Sequence, residues 1–255
     1  MSAHAEKTAT LLKLSHDLGR EDRGLAMLGE GNTSYRLDED TFLVKASGSS
    51  LSTLREDQLV ACRFSALLPL LDAPAMSDAD VEKSLLASRV DSSAPKPSVE
   101  ALFHAWLLTL PGVDVIGHTH PIAVDQILCA GDDACCRYTE ERRFPDEIVC
   151  CGARSVIVPY VDPGTPLAQA IRDQVKIFVE KESRHPRIIL LRNHGLIACG
   201  ATTGAVLAAT LMAEKAARIF IGSIPMGGPT ALTPQNVARI DSRPDEHYRQ
   251  RMLKL

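Results

Sequence analysis

A pair of histidines at the end of an apolar segment constrains the fold of this chain most. Residues 113–116, Val-Asp-Val-Ile, lead directly into the segment Gly-His-Thr-His-Pro at 117–121. The apolar run predicts a buried β-strand, and side chains two apart on a strand point to the same face. His118 and His120 can therefore direct two imidazoles at one point, as a metal ion requires. Alone, the pair is also compatible with two hydrogen-bonded histidines near a core.

Two further segments supply the donors that complete a metal site. Residues 97–100, Pro-Ser-Val-Glu, lie upstream of the pair, and residues 192–195, Arg-Asn-His-Gly, lie downstream. With Glu100 and His194 the chain offers three imidazoles and a carboxylate. This set suits a catalytic Zn²⁺ with one exchangeable position, and it would also bind Mn²⁺ or Co²⁺. A second interpretation of Glu100 stays open here, because a carboxylate in the first turn of a helix also complements the helix dipole.

Two loops of small residues indicate an anion site. They are residues 29–34, Gly-Glu-Gly-Asn-Thr-Ser, and residues 46–50, Ala-Ser-Gly-Ser-Ser, with Lys45 just before the second. Glycine lets the backbone approach a ligand closely, and amide and hydroxyl groups satisfy phosphate oxygens. Ser98 stands at the predicted N-cap of a helix, whose free N–H groups also favour an anion. Such loops are also common as simple turns.

Composition and charge exclude several classes of protein. The chain has 255 residues, 45% hydrophobic and 24% charged, which is ordinary for a globular protein, and we predict one domain over residues 1–255. The net charge of -4 and the pI of about 6.1 give no basic footprint for nucleic acid. No apolar run approaches the ~20 residues that span a bilayer, and the N-terminus lacks the pattern of a signal peptide. We therefore expect a soluble, cytoplasmic protein that binds neither membranes nor nucleic acid.

The cysteines do not have the pattern of a disulfide framework. There are 7 of them, an odd number, and two pairs are adjacent in sequence, at 135–136 and 150–151. A reducing compartment would keep them as thiols. Because adjacent cysteines rarely chelate one ion well, we interpret them as small buried or interfacial residues rather than as a metal site.

Periodicity predicts alternating helices and strands. Helices are predicted over residues 8–18, 63–71, 78–90, 99–108, 121–128, 166–179 and 202–221, with short tail helices at about 234–240 and 245–253. Strands are predicted over residues 25–28, 35–37, 41–45, 113–116, 155–158, 187–191 and 196–199. Residues 137–145 are polar and favour neither.

Together the motifs resemble those of the class II aldolase/adducin family. The segments that carry the resemblance are, in chain order, Gly31-Asn32-Thr33-Ser34, Ser47-Gly48, Pro97-Ser98-x-Glu100, His118-x-His120-Pro121 and Asn193-His194-Gly195. The similarity runs from about residue 11 to residue 221. The sequence around Asn32 and Ser47 looks most like the rhamnulose-phosphate aldolase domain that is found fused to a short-chain dehydrogenase, for which this chain has no room.

The resemblance implies a fold, an assembly and a set of site residues. Family members have a three-layer α/β/α fold around a central, mainly antiparallel sheet, and they are usually homotetramers with sites at subunit interfaces. By the same resemblance the zinc ligands are His118, His120, His194 and, as a displaceable fourth ligand that is also the acid and base, Glu100. The residues implied to hold a substrate phosphate are Asn32, Ser47, Gly48 and Ser98.

Four further positions refine the resemblance. Tyr160 lies where fuculose-phosphate aldolase places a catalytic tyrosine before a Gly-Thr pair. Tyr248 and Arg251 in the tail are similar to residues that act across an interface in that aldolase. Several members have two serines before the glutamate, whereas Val99 stands second here. One phosphate hydroxyl is thereby lost, and the requirement for a phosphate stays open.

The resemblance implies a zinc-dependent lyase of the aldolase type. It would cleave or form a carbon–carbon bond in a sugar phosphate through a metal-stabilised enediolate, with Glu100 moving the proton and Tyr160 donating to the second carbonyl. Epimerases and decarboxylases of the family use the same chemistry and stay alternatives. A non-enzymatic interaction module, as in the adducins, is the alternative from another class. Such members are expected to lose zinc ligands, whereas all three histidines are present here.

Overall fold

Seven strands form one sheet in the computed structural model, which describes residues 3–73 and 76–244. In chain order the strands are β1 (Asn32–Arg36), β2 (Thr41–Lys45), β3 (Leu59–Arg63), β4 (Val115–Thr119), β5 (Val156–Val158), β6 (Ile188–Leu191) and β7 (Gly195–Gly200). Across the sheet their order is β3-β2-β1-β4-β7-β6-β5. Every neighbouring pair is antiparallel except β5 and β6, which are parallel. The expected mainly antiparallel sheet is confirmed.

Helices connect and cover these strands. In the described ranges the α-helices are α1 (Ala3–Leu18), α2 (Phe64–Leu67), α3 (Asp78–Ser88), α4 (Ala101–Leu107), α5 (Ile122–Leu128), α6 (Asp132–Glu140), α7 (Pro145–Cys151), α8 (Thr165–Glu182), α9 (Thr203–Ser223) and α10 (Pro234–Asp241). Most lie where the 3.6-residue spacing predicts them. The tail helix predicted over 245–253 falls outside the described residues.

Alternation along the central strands divides the apolar side chains between two cores. On β6, Ile188 and Leu190 belong to the core beneath α1, α5, α7 and α9. The intervening Ile189 and Leu191 belong to the core beneath α2, α3, α4 and α8. Because both faces of the sheet are covered, β6 is a continuous apolar run without polar alternation. The three-layer α/β/α arrangement that the sequence motifs imply is therefore confirmed, and one domain over residues 1–255 stays a prediction.

The register of the central strands places the functional segments at one edge of the sheet. Asn32, the first residue of β1, lies opposite His118 near the end of β4. On the other side of β4, Thr119 lies opposite Leu196, so the turn before β7 reaches the same edge. Pairing of antiparallel strands thus brings together segments that are far apart in sequence.

The predicted strand over residues 25–28 is wrong, because this segment is a loop. Leu28 has a left-handed backbone with φ of 51°, which a strand does not allow. The carbonyl of Leu25 accepts a hydrogen bond from the backbone N–H of His120 at 2.8 Å. The loop is therefore attached to the residue after β4 and does not form a strand of the sheet. Conversely, residues 32–34, predicted as part of a loop, form the start of β1.

Residues 132–151 contain two helices that periodicity does not reveal. α6 buries Cys135, Tyr138 and Thr139, which have helical spacing but carry little apolar signal. In the polar segment that follows, the side chain of Arg143 is bound to that of Glu147 on α7, and both charged side chains are buried as a pair. Paired charges of this kind hide a buried segment from an analysis based on hydrophobicity.

All seven cysteines are free thiols in the structure. Five are buried, and Cys129 and Cys136 are exposed. Burial raises the pKa of Cys62 to about 11 and that of Cys199 to about 12, so both thiols are protonated and poor nucleophiles. The interpretation as small buried residues therefore holds for the five, among them Cys150 and Cys151.

Within the described ranges, none of the helices combines the length and the apolar character that crossing a membrane requires.

Gly117 in β4 lets two helices pack closely against the sheet. A Cβ atom there would lie 2.8 Å from Cγ1 of Val206 on α9 and 3.0 Å from Cδ1 of Leu18 on α1. We expect Gly117→Ala to lower the free energy of unfolding by about 1–3 kcal/mol, as overpacking does. Urea denaturation measures the change, and Val206→Ala in the same background should restore part of it. If Val206→Ala only adds its own loss, this contact is not the cause.

Candidate metal centre

Three histidines from two strand ends converge at the sheet edge. His118 lies in β4, His120 follows it, and His194 occupies the turn before β7. One ring nitrogen from each lies within 4.8 Å of the other two. The ring centroids are 4.9 to 5.1 Å apart in pairs. The structure thus brings together all three of the histidines that the sequence predicts as ligands.

Glycine at position 195 makes this convergence possible. A Cβ atom on Gly195 would lie 2.5 Å from the carbonyl oxygen of Thr119 and 2.9 Å from Cδ2 of His120. A larger residue would push β7 and its preceding turn away from β4. The turn itself needs Asn193 in the left-handed region, with φ of 53°, which asparagine tolerates better than most residues. Both neighbours of His194 therefore have a geometric role. Asn193 allows the turn, and Gly195 allows the close approach to β4.

The hydrogen bonds of His118 direct its free nitrogen at the cluster. Nδ1 lies 3.0 Å from the carbonyl oxygen of Leu196 and must donate to it, so the lone pair is on Nε2. That Nε2 lies 3.1 Å from Nε2 of His120. A backbone carbonyl that fixes the tautomer in this way is typical of metal-binding histidines.

Glu100 adds a carboxylate to the cluster. Its Oε1 lies 3.5 Å from Nε2 of His118 and 3.4 Å from Nε2 of His194. Burial by itself raises the pKa of this carboxyl, but the imidazoles of His118 and His194 and the amide of Asn32 lower it, and the net pKa is well below the usual range. The group is therefore ionised at neutral pH.

The imidazoles of His118 and His120 are neutral at the same pH. Burial, followed by the neighbouring histidines, lowers the pKa of His120 to about 3. Burial also lowers the pKa of His118, against the opposing effect of Glu100. Neutral imidazoles and an ionised carboxylate are the protonation states that bind a divalent cation. The type and spacing of these donors fit such an ion. Among the described residues, His118, His120 and His194 form the group that could hold one.

A chain of hydrogen bonds leads from Glu100 into the core. Asn32 donates from Nδ2 to Oε2 of Glu100, and its Oδ1 faces Nε2 of His104. Nδ1 of His104 lies 2.6 Å from Oγ of Ser34. His104 is fully buried on α4. Its link to Glu100 through Asn32 is a feature that no sequence motif reveals.

Ser47 and Ser98, predicted to hold a phosphate, lie on two loops that the structure joins. A β-bridge between Ala46 and Pro97 joins their two loops, and Ser47 donates its backbone N–H to the carbonyl of Lys96 at 2.9 Å. Both serines line one cavity of about 740 Å³. Gly48 has φ of 76°, and space beyond its Cα is open.

The prediction that Ser98 caps a helix is wrong. α4 begins at Ala101, with Glu100 at the N-cap position. The hydroxyl of Ser98 instead accepts from the backbone N–H of Glu100 at 3.3 Å and from Nδ2 of Asn32 at 3.4 Å. Ser98 therefore contacts the carboxylate network directly, in addition to lining the cavity.

The side chain of Lys45 is buried and forms hydrogen bonds to two loops. Its Nζ donates to the carbonyl oxygens of Ser49 at 2.6 Å and Gly29 at 3.4 Å. Burial lowers its pKa, and Glu100 partly opposes that effect. Lys45 thus holds both small-residue loops together, and its positive charge lies close enough to Glu100 to interact with it.

Tyr160 and Val99 are more exposed than the residues of the cluster. Tyr160 is 57% exposed beyond the end of β5, and its hydroxyl donates to Oδ1 of Asp162 at 3.0 Å. Its catalytic role stays a prediction. Val99 is half-exposed beside the loop at Gly164. Tyr248 and Arg251 lie outside the described residues.

One titratable group near the cluster has no sequence signal. Burial, and then the charge of Glu30, raises the pKa of Asp125 on α5 to about 7, although His194 opposes the rise. Oδ1 of Asp125 is buried and has no hydrogen-bond partner among the described residues. A single aspartate inside an ordinary helical pattern gives no motif by which to find it.

The histidine cluster predicts a measurable metal content. We expect close to one zinc ion per chain in the purified protein and a nearly complete loss in the His118→Ala/His120→Ala variant, because two of three imidazoles are removed. Mass spectrometry of the metal measures both. His4→Ala, which changes an exposed histidine, is the control and should keep its zinc. Absence of metal in the wild type after incubation with zinc would mean that the three histidines do not hold an ion.

Burial of His104 predicts sensitivity to acid. Burial lowers its pKa from 6.5 to about 3, so between these values the unfolded chain binds a proton that the folded chain does not. The free energy of unfolding should therefore fall as the pH drops below about 6.5. From about pH 7.5 to pH 5, metal-free His104→Gln should lose roughly 2 kcal/mol less than metal-free wild type, measured by urea denaturation. Equal losses would show that His104 is not the group responsible.

Comparison with known proteins agrees with this geometry. A protein of Haemophilus influenzae (strain ATCC 51907 / DSM 11121 / KW20 / Rd) named 3-oxo-tetronate 4-phosphate decarboxylase is 30% identical over 213 residues, which cover 82% of this chain and 85% of that protein. The uncharacterized oxidoreductase YuxG of Bacillus subtilis (strain 168) is 30% identical over 208 residues, or 78% of this chain. This chain spans only 27% of the length of that Bacillus protein.

Solved structures have the same fold. The N-terminal class II aldolase domain of a conserved protein from Thermoplasma acidophilum superposes with a TM-score of 0.66 at 26% identity, covering 83% of this chain and 92% of that one. Residues 9–221 match the model of the family described as the class II aldolase and adducin N-terminal domain. With the sheet, the histidine cluster and this match in agreement, the chain is a member of the class II aldolase/adducin family.

Proposed function

We propose that the chain is a zinc-dependent lyase that cleaves or forms a carbon–carbon bond in a sugar phosphate. The observation that carries the proposal is the meeting of the imidazoles of His118, His120 and His194 with the ionised carboxylate of Glu100 at the sheet edge. An interaction module needs no such cluster, so catalysis is favoured over an adducin-like role.

The three histidines and Glu100 supply the ligand set of the proposed site. Zinc held by His118, His120 and His194, with Glu100 as a displaceable fourth ligand, would act as a Lewis acid for negative charge on substrate oxygens. The fixed tautomer of His118 and the short nitrogen–nitrogen distance to His120 support this assignment.

Glu100 is the proposed acid and base. In the direction of bond formation it takes a proton from the carbon next to the substrate carbonyl, and in the direction of cleavage it returns one. Its carboxylate is suited to this because it is ionised and buried, with Oε2 held by Asn32 and Oε1 facing the histidines. A base fixed in this way needs little rearrangement before proton transfer.

The cavity that Ser47, Ser98 and Val99 line is the proposed substrate site, although Glu100 and the three histidines are not part of its lining. Its volume of about 740 Å³ is within the range of small-molecule sites. Ser98, two residues before Glu100, lies at the junction of the cavity and the carboxylate network. The hydroxyls of Ser47 and Ser98 suit a phosphate, and the carboxylates of Asp78, Glu82 and Asp162 can accept hydrogen bonds from sugar hydroxyls.

Aldol chemistry is the first candidate, and decarboxylation is the second. The second is favoured by the Haemophilus relative, which is named as a decarboxylase of a phosphorylated 3-oxo acid and is matched over most of its length. Either reaction leaves negative charge on the carbon next to a carbonyl, and they differ in whether an aldehyde or carbon dioxide departs. Epimerisation of a sugar phosphate follows from the same charge and stays an alternative.

Assembly and cellular location are part of the proposal. A homotetramer with sites at subunit interfaces would bring additional residues to the cavity, and the resemblance of the motifs supports this arrangement. A cytoplasmic location agrees with seven free cysteines, which persist in a reducing compartment.

The test is a substrate panel with the zinc-loaded wild type. The panel contains ketose 1-phosphates, pentulose 5-phosphates and phosphorylated 3-oxo acids, with detection of aldehyde, epimer and carbon dioxide. Release of aldehyde identifies an aldolase, and release of carbon dioxide identifies a decarboxylase. A wild type that carries zinc and converts no member of the panel would contradict the proposal.

Replacement of Glu100 should separate catalysis from metal binding. We expect Glu100→Gln to keep the three imidazoles and most of the zinc, but to lower kcat about 10²–10⁴-fold, because an amide does not accept the proton. Turnover on the best panel substrate and zinc content measure the two effects. Asp114→Asn, a half-exposed carboxylate at the opposite end of β4, is the control. Near-normal turnover in Glu100→Gln would remove Glu100 from this role.

A further inference from the structure

We propose that Asn32 and His104 are positioning residues that fix the carboxylate of Glu100. The proposal rests on the proposed function, since Glu100 is its acid and base. It gives Asn32 a different task from the one implied by the resemblance, in which Asn32 holds a phosphate. His104 receives a task in place of a purely structural one.

The donors and acceptors determine the direction of the hydrogen bonds that link Ser34, His104, Asn32 and Glu100. The carboxylate of Glu100 only accepts, so Nδ2 of Asn32 faces it and Oδ1 of Asn32 faces His104. His104 must then carry its proton on Nε2, which leaves Nδ1 to accept from the hydroxyl of Ser34. Every donor in the chain therefore points toward Glu100, and such aligned hydrogen bonds polarise and strengthen one another.

Both amide hydrogens of Asn32 are directed at protein groups in the structure. One amide hydrogen goes to Glu100, and the other points to the hydroxyl of Ser98 at 3.4 Å. Its Oδ1 is bound to His104, and the residue is 2% exposed. A phosphate would have to displace one of these partners. One amide hydrogen of Asn32 is thus committed to the carboxylate.

The effect on Glu100 is to distinguish its two oxygens. Oε2 is held by Asn32, whereas Oε1 lies 3.5 and 3.4 Å from the Nε2 atoms of His118 and His194. The side chain of Glu100 cannot rotate without breaking its hydrogen bond with the amide of Asn32. One oxygen is therefore fixed in the core, and the other faces the place where an ion and a substrate carbon would meet.

His104 makes this arrangement rigid. Its ring stacks on Phe103 at a centroid distance of 4.7 Å, and it is fully buried. Burial lowers its pKa, so it stays neutral and keeps the single Nε2 proton that Asn32 requires. Without that proton, Oδ1 of Asn32 would be a buried acceptor without a donor, and the amide could turn its oxygen toward Glu100.

The experiment compares two substitutions of His104, one that removes both of its hydrogen bonds and one that can keep them. His104→Phe keeps the ring and loses the donor, whereas His104→Gln keeps a donor near the position of Nε2 and an acceptor for Ser34. Zinc affinity is measured by competition with a chelator, and kcat and KM are measured on the best panel substrate. We expect His104→Phe to weaken zinc affinity or lower kcat about 10–100-fold with little change in KM, and His104→Gln to recover most of the loss.

Thr33→Val is the matched control. Thr33 neighbours Asn32 on β1, is equally buried, and shares a 2.7 Å hydrogen bond with Ser15 away from Glu100. It should lose stability but keep zinc affinity and kcat. If His104→Phe and Thr33→Val had equal effects on zinc affinity or turnover, the hydrogen bonds from Ser34 to Glu100 would have only a structural role. That result would overturn the proposal. Wild-type values in His104→Phe, or no recovery in His104→Gln, would do the same.

A second variant covers failure of His104→Phe to fold. Asn32→Asp has the same shape but presents oxygen to Glu100 in place of a donor, so zinc affinity or kcat should again fall about 10–100-fold. Unchanged values would overturn the proposal. A wild type that turns over no substrate of the panel would contradict the proposed function. The zinc affinities of the same variants would still decide whether the hydrogen bonds through His104 and Asn32 position Glu100.

Discussion

The pairing of β4 with β1 on one side and β7 on the other is the constraint on which the site depends. This register places His118 opposite Asn32 and brings the turn with His194 to the same edge. A slip of one residue would turn His118 to the other face of the sheet. The close contact of Gly195 with Thr119 fixes the separation of β4 and β7, so the register and the histidine geometry are determined together.

Electrostatics prepare this edge for a cation before any ion arrives. Burial alone would make the carboxylate of Glu100 costly, but an amide and two imidazoles offset the loss of water. His118 and His120 are kept neutral by the same burial. A cation that enters at neutral pH therefore displaces few protons, and most of its binding free energy is available for holding the site together.

Much of the fold and of the site could be predicted from sequence, because strong local signals mark them. The His-x-His pair after an apolar run and the Asn-His-Gly turn place the ligands, and the 3.6-residue spacing of α1, α8 and α9 places the long helices. Residues 132–151 escaped prediction because their burial depends on paired charges. The chain from Ser34 to Glu100 escaped because it joins positions 66 apart, which only strand pairing brings together. Asp125 has no pattern at all.

Ser98 belongs to two structures at once, which has a thermodynamic consequence. Its hydroxyl lines the cavity and also accepts hydrogen bonds from the backbone of Glu100 and from Asn32. A ligand that accepts the proton of this hydroxyl would polarise it and thereby strengthen the bonds that it accepts, so occupancy of the cavity and the orientation of the carboxylate are energetically coupled. Coupling of this kind is reciprocal. The part of a substrate far from the reacting bond would therefore contribute to the rate of the reaction as well as to affinity.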